Sequence, residues 1–527
     1  MKKPNNLLIF LLISTISFSL IASASGSPKL ENEYSLNYLN APKSIKDHVR
    51  YIFSTESNAW SYASQINPHT KNKNFDALLP PCDEVKIQVC ISSVETRYGG
   101  GDWKAAEVLP DAGHRISEIP TFTESGLPTS YKYSTFDGDL SNFLPPGGNP
   151  RLWKSNQEDL AGGLISVIAD VHGAQVQNSS GLSLQVKLVT DKQEKQGCLA
   201  VSGEWINNEG GKANNGFCNL TLKIPTNLEF RVKLKFTDFE DPIKGWFTST
   251  VLNPSIDYTG NTLTISGGAT SHPNFVSDPI PFSDWCEIYV KNLPQYPCPY
   301  DGKFPRPQGS QNFTNREWSS GAMPYQKFFQ EKSLGENNLW LFESTFSTPF
   351  NTTFYNQIPN CKLSKPIFGV ISTDAALYNI SDLKWNAQEK SFDYSIFSPH
   401  LNSSGAVNSG FFSLLVDRTV ADCLWKTELT SAKAVLSISY EDGTSEIATT
   451  AIGKNDSWIT FSAAGFHYSR PKFTAKLDFS EKVQPSVPAQ VEKPKRKLST
   501  VYCVKGKLTK RITGQKPVCP SGYRLKK

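Results

Sequence analysis

The sequence predicts a mainly β protein, and two observations lead to that fold class. The segment from Leu228 to Phe236 alternates strictly between apolar and polar side chains, as expected for a strand with one face in a core and the other in water. The composition combines 35 Gly and 34 Pro with 12% aromatic residues and only two Met, which favours short strands joined by turns over long helices. We therefore expect two antiparallel β-sandwich-like domains.

The domain division follows from length and proline content. A chain of 527 residues exceeds one hydrophobic core, since single cores stop growing at roughly 250 to 300 residues. Five prolines crowd residues 294–307 and mark an internal boundary. The resulting prediction is a β-rich N-terminal domain with a leading helix (25–300), a C-terminal β-sandwich-like domain (301–480), a Pro-bearing linker (481–500) and a small basic tail (501–527).

Residues 1–24 have the three parts of a secretory signal peptide. Lys2 and Lys3 precede an apolar run from residue 7 to residue 21, and the small residues 22–24 follow it. An uncleaved membrane anchor is the alternative, but serines interrupt the run and it is shorter than the roughly 20 apolar residues of a spanning helix. We expect a secreted protein with no transmembrane span in its mature chain.

A short amphipathic helix is predicted near the start of the mature chain. Residues 44–47 read Ser-Ile-Lys-Asp, which resembles a capping box. Ile45, Val49, Ile52 and Phe53 then fall on one helical face.

The remaining strands are predicted from short apolar-rich runs between turn residues. They lie at 164–171, 182–189, 220–224, 228–236, 246–252 and 262–265 before the proline cluster, and at 339–342, 367–372, 392–397, 411–416, 434–440, 446–452, 458–462 and 473–479 after it. The clearest hairpin joins 434–440 to 446–452, because Asp442 and Gly443 form a favoured turn pair.

Ten cysteines in an exported chain indicate an oxidising compartment and disulfides. Sequential pairing is the simplest interpretation of their spacing, although the sequence alone does not choose among the possible pairings. The neighbouring pairs are Cys82 and Cys90, Cys198 and Cys218, Cys286 and Cys298, Cys361 and Cys423, and Cys503 and Cys519. No Cys-x-x-Cys or Cys/His spacing of a zinc site is present in the sequence, so we expect no metal bound by these thiols.

The end of the chain carries a concentrated positive charge. Residues 493–527 contain twelve Lys or Arg and no Asp or Glu. Without these twelve and the two lysines of the leader, 40 basic and 49 acidic residues remain, so the tail is strongly positive and the mature body is negative. The expected binding residues for anionic envelope polymers or lipid headgroups are Lys495, Arg496, Lys497, Lys505, Lys507, Lys510 and Arg511.

The tail also carries a family resemblance. From Val501 the sequence reads VYCVKGKLTKRITGQKPVCPSGYRLKK, which resembles a short basic Cys-x15-Cys tail of exported actinobacterial proteins. The tract from residue 431 to 479, with Trp458 and the run Gly465-Phe-His-Tyr-Ser, and the earlier run Gly245-Trp-Phe-Thr are similar to uncharacterised secreted proteins of the same group. The resemblance implies export and a cell-surface location; it implies no activity, catalytic residue or ligand.

The signatures of secreted hydrolases are missing from the sequence. Neither Gly-x-Ser-x-Gly nor His-Glu-x-x-His occurs, and the Ser-x-x-Lys match at Ser381 to Lys384 lacks its partner motifs. The seven histidines have no ligand spacing. A glycosidase pair of carboxylates stays open, because the separation of such a pair is set in space rather than along the chain.

Two binding sites of another kind are compatible with the sequence. Asp238, Glu240 and Asp241, or the turn Asp137-Gly-Asp139 with Asn142, offer oxygen ligands for calcium, but neither segment has a full ligand loop and a solvated acidic turn is preferred. Tryptophans stack on sugars in many glycan-binding proteins, so glycan binding is a further candidate. Five of the eleven lie in or beside apolar runs and are expected in the core: Trp153, Trp246, Trp285, Trp340 and Trp458.

The sequence therefore favours a non-enzymatic, exported protein that is retained at the cell surface by its tail and uses no cofactor. Anionic envelope polymers or lipid headgroups are the expected partners, and nucleic acid is not expected outside the cell. The alternative is a secreted polysaccharide-active hydrolase with carboxylate catalysis.

Overall fold

The computed structural model of the chain describes the greater part of its predicted strands. The described residues are 48–53, 62–63, 74–109, 137–148, 151–155, 160, 163–174, 179–194, 218–292, 298, 309–313, 323–344, 366–378, 383–425, 433–440, 445–446, 449–454, 457–468, 471–478, 499–506, 508–514 and 518–526.

Strands dominate these residues, and the predicted mainly β class is confirmed. Up to residue 281 they are β1 (His48–Phe53), β2 (Tyr62–Ala63), β3 (Asn74–Leu78), β4 (Val89–Tyr98), β5 (Lys104–Val108), β6 (Arg151–Ser155), β7 (Leu164–Ala174), β8 (Ser179–Glu194), β9 (Cys218–Leu222), β10 (Leu228–Phe236), β11 (Gly245–Ser249), β12 (Val251–Thr259), β13 (Thr262–Val276) and β14 (Ile280–Pro281). The later ones are β15 (Gly309–Phe313), β16 (Gly335–Ser344), β17 (Ile367–Thr373), β18 (Lys384–Asn386), β19 (Ser391–Ser395), β20 (Ser409–Asp417), β21 (Lys433–Ser439), β22 (Ser445–Glu446), β23 (Thr449–Lys454), β24 (Trp458–His467), β25 (Lys472–Asp478), β26 (Ser499–Lys505), β27 (Leu508–Gly514) and β28 (Arg524–Leu525).

Helical structure is sparse in the described residues. The two α-helices are α1 (Phe282–Asn292) and α2 (Arg418–Trp425). Short 3-10 turns occupy Cys82–Glu84, Leu140–Asn142, Asp241–Ile243 and Met323–Phe328.

Pairing joins twenty of these strands into one hydrogen-bonded network. One run of antiparallel neighbours is β5–β4–β10–β13–β12. A second run is β3–β7–β8–β16–β11–β17–β20–β24–β23, in which only the β11–β17 pair is parallel. The two runs meet in two places. Strand β6 pairs with β5 of the first run and with β7 of the second. Strand β13 pairs with β10 and β12 through its first half and with β16 through its second half.

The alternation that predicts β10 is confirmed residue by residue. Leu228, Phe230, Val232, Leu234 and Phe236 are all 0% exposed, whereas the four residues between them are partly exposed. The buried face of β10 shares one core with buried residues of β7, β8 and β16. Within this core the rings of Phe230 and Trp340 meet edge to face, with centroids 6.5 Å apart.

A second sheet contacts strands β11 and β20 of the network. Its strands follow the order β18-β19-β25-β21-β22. Aromatic rings join the two layers: Phe473 stacks on Phe412 at 4.1 Å between centroids, and Phe392 meets Trp246 at 5.4 Å. All four of these aromatic residues are buried.

The predicted helix near the N-terminus is wrong over residues 48–53, which form strand β1. The segment pairs in parallel with β15 from Val49 to Phe53, and in antiparallel fashion with β13 at Ile52 and Phe53. Its β-branched and aromatic residue types favour strands. Hydrogen bonds from partners more than 200 residues away therefore overrule a helical period that is also present in the sequence. The capping residues 44–47 lie outside the described part.

The division at residue 300 also needs correction. Strand β16 pairs with β8, β11 and β13, so segments on the two sides of the proline cluster belong to one sheet network. The chain instead divides into a larger unit, Met1–Leu429 with Ala434–Leu477, and a smaller unit, Thr430–Lys433 with Asp478–Lys527. Prolines mark places where strands end, and they do so within a domain as well as between domains.

Three disulfides join cysteines that are neighbours in the chain: Cys82–Cys90, Cys286–Cys298 and Cys503–Cys519. Cys423 is also disulfide-bonded, but its partner is not among the cysteines whose side chains the structure describes. Cys198 and Cys361, and the side chain of Cys218, lie outside the described part, so the other two predicted pairs stay predictions.

The opposite faces of β10 provide a test of this core. Replacing Val232 with Asp places a carboxylate without a partner at a fully buried position, and we expect a loss of about 3 to 5 kcal/mol in the free energy of unfolding. The matched control is Lys233→Gln, which removes a partly exposed ion pair with Glu95 at 2.7 Å and should cost less than about 1 kcal/mol. Urea denaturation measures both; equal losses would contradict the assigned faces.

Candidate functional site

The smaller unit contains a three-stranded antiparallel sheet in the order β27-β26-β28. Strand β26 pairs with β27 along its whole length, and with β28 at Cys503 and Val504. Gly506, which follows β26, has a φ of 60°, in the left-handed region where glycine meets no steric penalty. A tight connection between β26 and β27 needs such a residue.

A disulfide fixes the middle strand of this sheet. Cys503 lies on β26, is 0% exposed and is bonded to Cys519, which precedes β28. The amide of Lys526 donates to the carbonyl oxygen of Tyr502 at 2.7 Å and closes the edge with β28. The tail is therefore a folded, cross-linked element.

Several basic side chains of this element reach solvent. Lys505 and Lys510 were expected binding residues, and both are exposed, as are Arg524 and Lys526. The ammonium of Lys505 lies 6.0 Å from the centre of the Tyr523 ring. Residues 493–527 include no Asp or Glu, so no acidic side chain of the tail neutralises these charges.

The other expected binding residues are described only in part or lie outside the described residues. Arg511 lies on β27 opposite Tyr502, but its side chain is not described. Lys507 and the three basic residues Lys495, Arg496 and Lys497 lie outside the described part.

The sequence analysis missed a set of exposed apolar side chains in the same element: Tyr502, Leu508, Val518 and Leu525. The small size of the tail is what indicates their exposure. A sheet of three short strands has too few residues to cover both of its own faces.

The structure also brings two acidic side chains onto one face of the larger unit. Strands β7, β8 and β16 align Asp170, Ser183 and Glu343 in one row across the sheet. The Ser183 hydroxyl donates to a Glu343 carboxylate oxygen at 2.9 Å, and Asp170 lies 3.5 Å from His172. With strands about 4.8 Å apart, the two carboxylates start from positions roughly 10 Å apart. Both carboxylates are buried, and Ser183 lies between them. This arrangement is not an open cleft with two facing carboxylates.

A further carboxyl, that of the part-buried Asp374, links three strands. The Tyr468 hydroxyl and the Phe411 amide both donate to one oxygen of Asp374, the amide at 2.7 Å. Burial raises the pKa of Asp374 to about 7, and burial together with the Asp374 charge raises the pKa of Tyr468. Asp374 follows β17, Phe411 lies on β20 and Tyr468 follows β24, so the contact joins neighbouring strand ends.

His272 illustrates why a buried histidine need not be catalytic. Its Nδ1 donates to the carbonyl oxygen of Ala375 at 3.1 Å, and its Nε2 lies 2.8 Å from the Thr270 hydroxyl. Burial lowers the pKa of His272 to about 3, so the ring is neutral at physiological pH. Both nitrogens have partners inside the protein, and the residue joins β13 to the segment after β17.

The acidic segments considered for calcium have internal partners. Asp139 accepts hydrogen bonds from Ser141 and Asn142, both at 2.6 Å, and one oxygen of Asp241 accepts from the amide and hydroxyl of Ser180. Within the described ranges, no group of three or more His, Cys, Asp or Glu is arranged to hold a metal ion.

The tryptophans expected in the core are there. All five are buried: Trp153, Trp246, Trp285, Trp340 and Trp458. Trp103 is partly exposed, but the guanidinium groups of Arg97 and Arg231 lie 4.5 and 3.9 Å from its ring centre. The five buried tryptophans therefore provide no open ring face of the kind that stacks on sugars.

Comparison of the chain with protein-family models, curated proteins and solved structures gives no match. In the part of the chain that the structure describes, no helix has the length and apolar character to cross a membrane. The chemistry of the tail is therefore the basis for a functional proposal.

The raised pKa of Asp374 predicts a pH dependence of stability. The folded protein keeps the Asp374 proton up to about pH 7, whereas the unfolded chain releases it near its ordinary value of 3.8. The stabilising contribution is complete below about pH 4 and is lost as the pH rises towards 7. Asp374→Asn keeps an oxygen that accepts both hydrogen bonds, so this variant should lack the decline. Denaturant titrations from pH 4 to 8 measure the difference.

The matched control for this experiment is Asp422→Asn, which changes an exposed carboxylate on α2. Its unfolding free energy should follow the same pH profile as the parent protein. An Asp374→Asn profile that also coincides with the parent would contradict the raised pKa.

The tail disulfide leads to a separate prediction. Replacing Cys503 and Cys519 with Ser removes a bridge that closes about 16 residues, and loop entropy assigns roughly 3 kcal/mol to such a bridge. Three short strands without a core should not tolerate that loss, so β26 to β28 should unfold while the larger unit stays folded. Amide hydrogen exchange, read separately for the tail and for β10, checks this; equal protection of the tail in both proteins would refute it.

Proposed function

We propose that this protein is exported and held at the cell surface by its C-terminal tail, which binds anionic polymers or lipid headgroups of the envelope. The observation that carries the proposal is the group of exposed basic side chains, among them Lys505, Lys510, Arg524 and Lys526, on a folded element without acidic residues. The anions that neutralise these side chains are therefore not supplied by the tail itself.

The disulfides and the N-terminal sequence support export. Bridges such as Cys82–Cys90 and Cys503–Cys519 persist in oxidising compartments, and residues 1–24 have the pattern of a cleaved leader. The larger unit serves in this proposal as a non-enzymatic body. We infer that its layers are sandwich-like, which the ring contacts between β20 and β25 support.

The alternative of a polysaccharide hydrolase has less support. The carboxylates that share a face, Asp170 and Glu343, are both buried and stand on either side of Ser183. Glycosidases that act with two carboxylates require a substrate between them. The tail proposal needs no such rearrangement, because its side chains already face solvent.

The experiment compares the mature protein with a form that ends at Glu492 for retention on isolated cell envelopes. We expect the complete protein to be retained at low salt and released at 1 M salt, because the screening length falls from about 10 Å at 0.1 M to about 3 Å. The shortened form should stay in the supernatant at both salt concentrations. Equal retention of the two forms at low salt would exclude the tail as the anchor.

A set of charge variants tests the mechanism without removing the tail. The triple variant Lys510→Gln, Arg524→Gln, Lys526→Gln should lose about 3 kcal/mol of binding, roughly two orders of magnitude, at about 1 kcal/mol per basic residue. The matched control neutralises three exposed lysines of the larger unit: Lys104, Lys384 and Lys476. Binding by the control should equal or exceed that of the parent; a similar loss in both variants would indicate an effect of total charge.

A further inference from the structure

The most exposed large apolar side chains in the described part of the chain lie in the tail. Tyr502 is 50% exposed, Leu525 58%, Leu508 66% and Val518 79%, whereas the highest value in the larger unit is 49% at Val407. A surface that bound anions by charge alone would gain nothing from these side chains. Their exposure calls for a partner with an apolar component.

The sheet register places several of these residues beside basic ones. Leu508 is directly opposite Lys505, and Cys503 is directly opposite both Lys510 and Leu525. Directly opposed residues point to the same side of a sheet, and so do residues two apart on a strand. Leu508, Leu525, Lys505 and Lys510 therefore share one face with Cys503.

The disulfide adds a third aliphatic residue to that side. Cys503 points from this face towards Cys519, so the bridge holds the segment before β28 over the same side of the sheet. Val518 immediately precedes Cys519 and is the most exposed of the apolar side chains. Two lysines and three aliphatic side chains thus form one mixed surface, which we call the tail face: Lys505, Leu508, Lys510, Val518 and Leu525.

Among anionic partners, a lipid bilayer fits the tail face better than a hydrated polymer. A charged wall polymer pairs with lysines but leaves Leu508, Val518 and Leu525 in water. A bilayer with anionic headgroups offers phosphates at its surface and hydrocarbon a few ångströms deeper. Lysine side chains reach the phosphates while their aliphatic stems and neighbouring apolar residues enter the interface.

We propose that the tail face docks on an anionic lipid bilayer, with Leu508, Val518 and Leu525 in the headgroup–acyl boundary and Lys505 and Lys510 at the phosphates. This inference rests on the proposed envelope-binding function and names the partner of that site. It extends the function from attraction by charge to shallow insertion of side chains.

The test measures binding of the mature protein to sedimented vesicles of phosphatidylglycerol and phosphatidylcholine, and separately to soluble polyphosphate. The variant is Leu508→Gln with Leu525→Gln, which keeps every charge. We expect it to lose at least tenfold in affinity for the mixed vesicles and less than twofold for polyphosphate. The matched control, Val290→Gln with Val407→Gln, changes two exposed apolar residues of the larger unit and should bind like the parent.

A second variant guards against misfolding of the tail. Val518→Gln lies outside the strands, and peptide mapping without reduction verifies the Cys503–Cys519 bridge in every protein. We expect a loss of several-fold in vesicle affinity from this change alone. Unchanged vesicle affinity in both variants with the bridge intact overturns the insertion proposal.

The outcomes separate this proposal from the function on which it rests. If the parent binds polyphosphate and envelopes as tightly as it binds vesicles, and the apolar variants bind all three normally, the tail is an anion binder without insertion. If the parent binds neither vesicles, polyphosphate nor isolated envelopes, the proposed function itself fails.

Discussion

Strand β13 (Thr262–Val276) determines how the larger unit is assembled, because its two halves belong to different runs of the sheet network. The first half lies between β10 and β12, and the second half pairs with β16. Gly267, near the change of partners, has a φ of 152°, and a β-carbon there would lie 2.5 Å from a Val251 methyl group and 2.6 Å from the Leu252 carbonyl oxygen. The Gly267 carbonyl oxygen accepts a hydrogen bond from the indole of Trp340 at 3.0 Å. A residue without a side chain thus lets β13 lie close against β12, while its carbonyl oxygen bonds a buried tryptophan of the other run.

The sequence predicted the parts of this arrangement that depend on local pattern. In β10, five apolar residues alternate with four polar ones, and only one face assignment buries all five. Local information was insufficient where one segment fits two patterns. Residues 48–53 fit both a helical face and a strand, and pairing with the distant strand β15 makes them a strand. The expected hairpin of 434–440 with 446–452 forms at its turn end and goes no further. Strand β21 pairs with Ser445 and Glu446, whereas β23 pairs with β24, which offers six registered positions.

The tail shows the same limit at the level of function. Its charge was readable from composition, since residues 493–527 contain twelve basic and no acidic residues. The exposure of Leu508 and Leu525 was not, because a Leu in an alternating run normally predicts a core. Only the pairing pattern shows that β28 has two residues and that the sheet has three strands, which is too little to enclose both faces. The disulfide supplies the stability that a core provides elsewhere.

The distribution of charge is consistent with the proposed attachment through a separate element. Apart from the tail and the leader, the chain has nine more acidic than basic residues, so an anionic surface repels the body on average. That repulsion extends over about 8 Å at physiological ionic strength, and attraction of the tail acts over the same distance. If the basic residues formed a rigid patch beside the body's carboxylates, the attraction of the patch and the repulsion of those carboxylates would act at the same distance and oppose each other. In the proposed function, residues 481–500, which contain three prolines, are the linker that lies along the chain between the acidic body and the folded end of the tail.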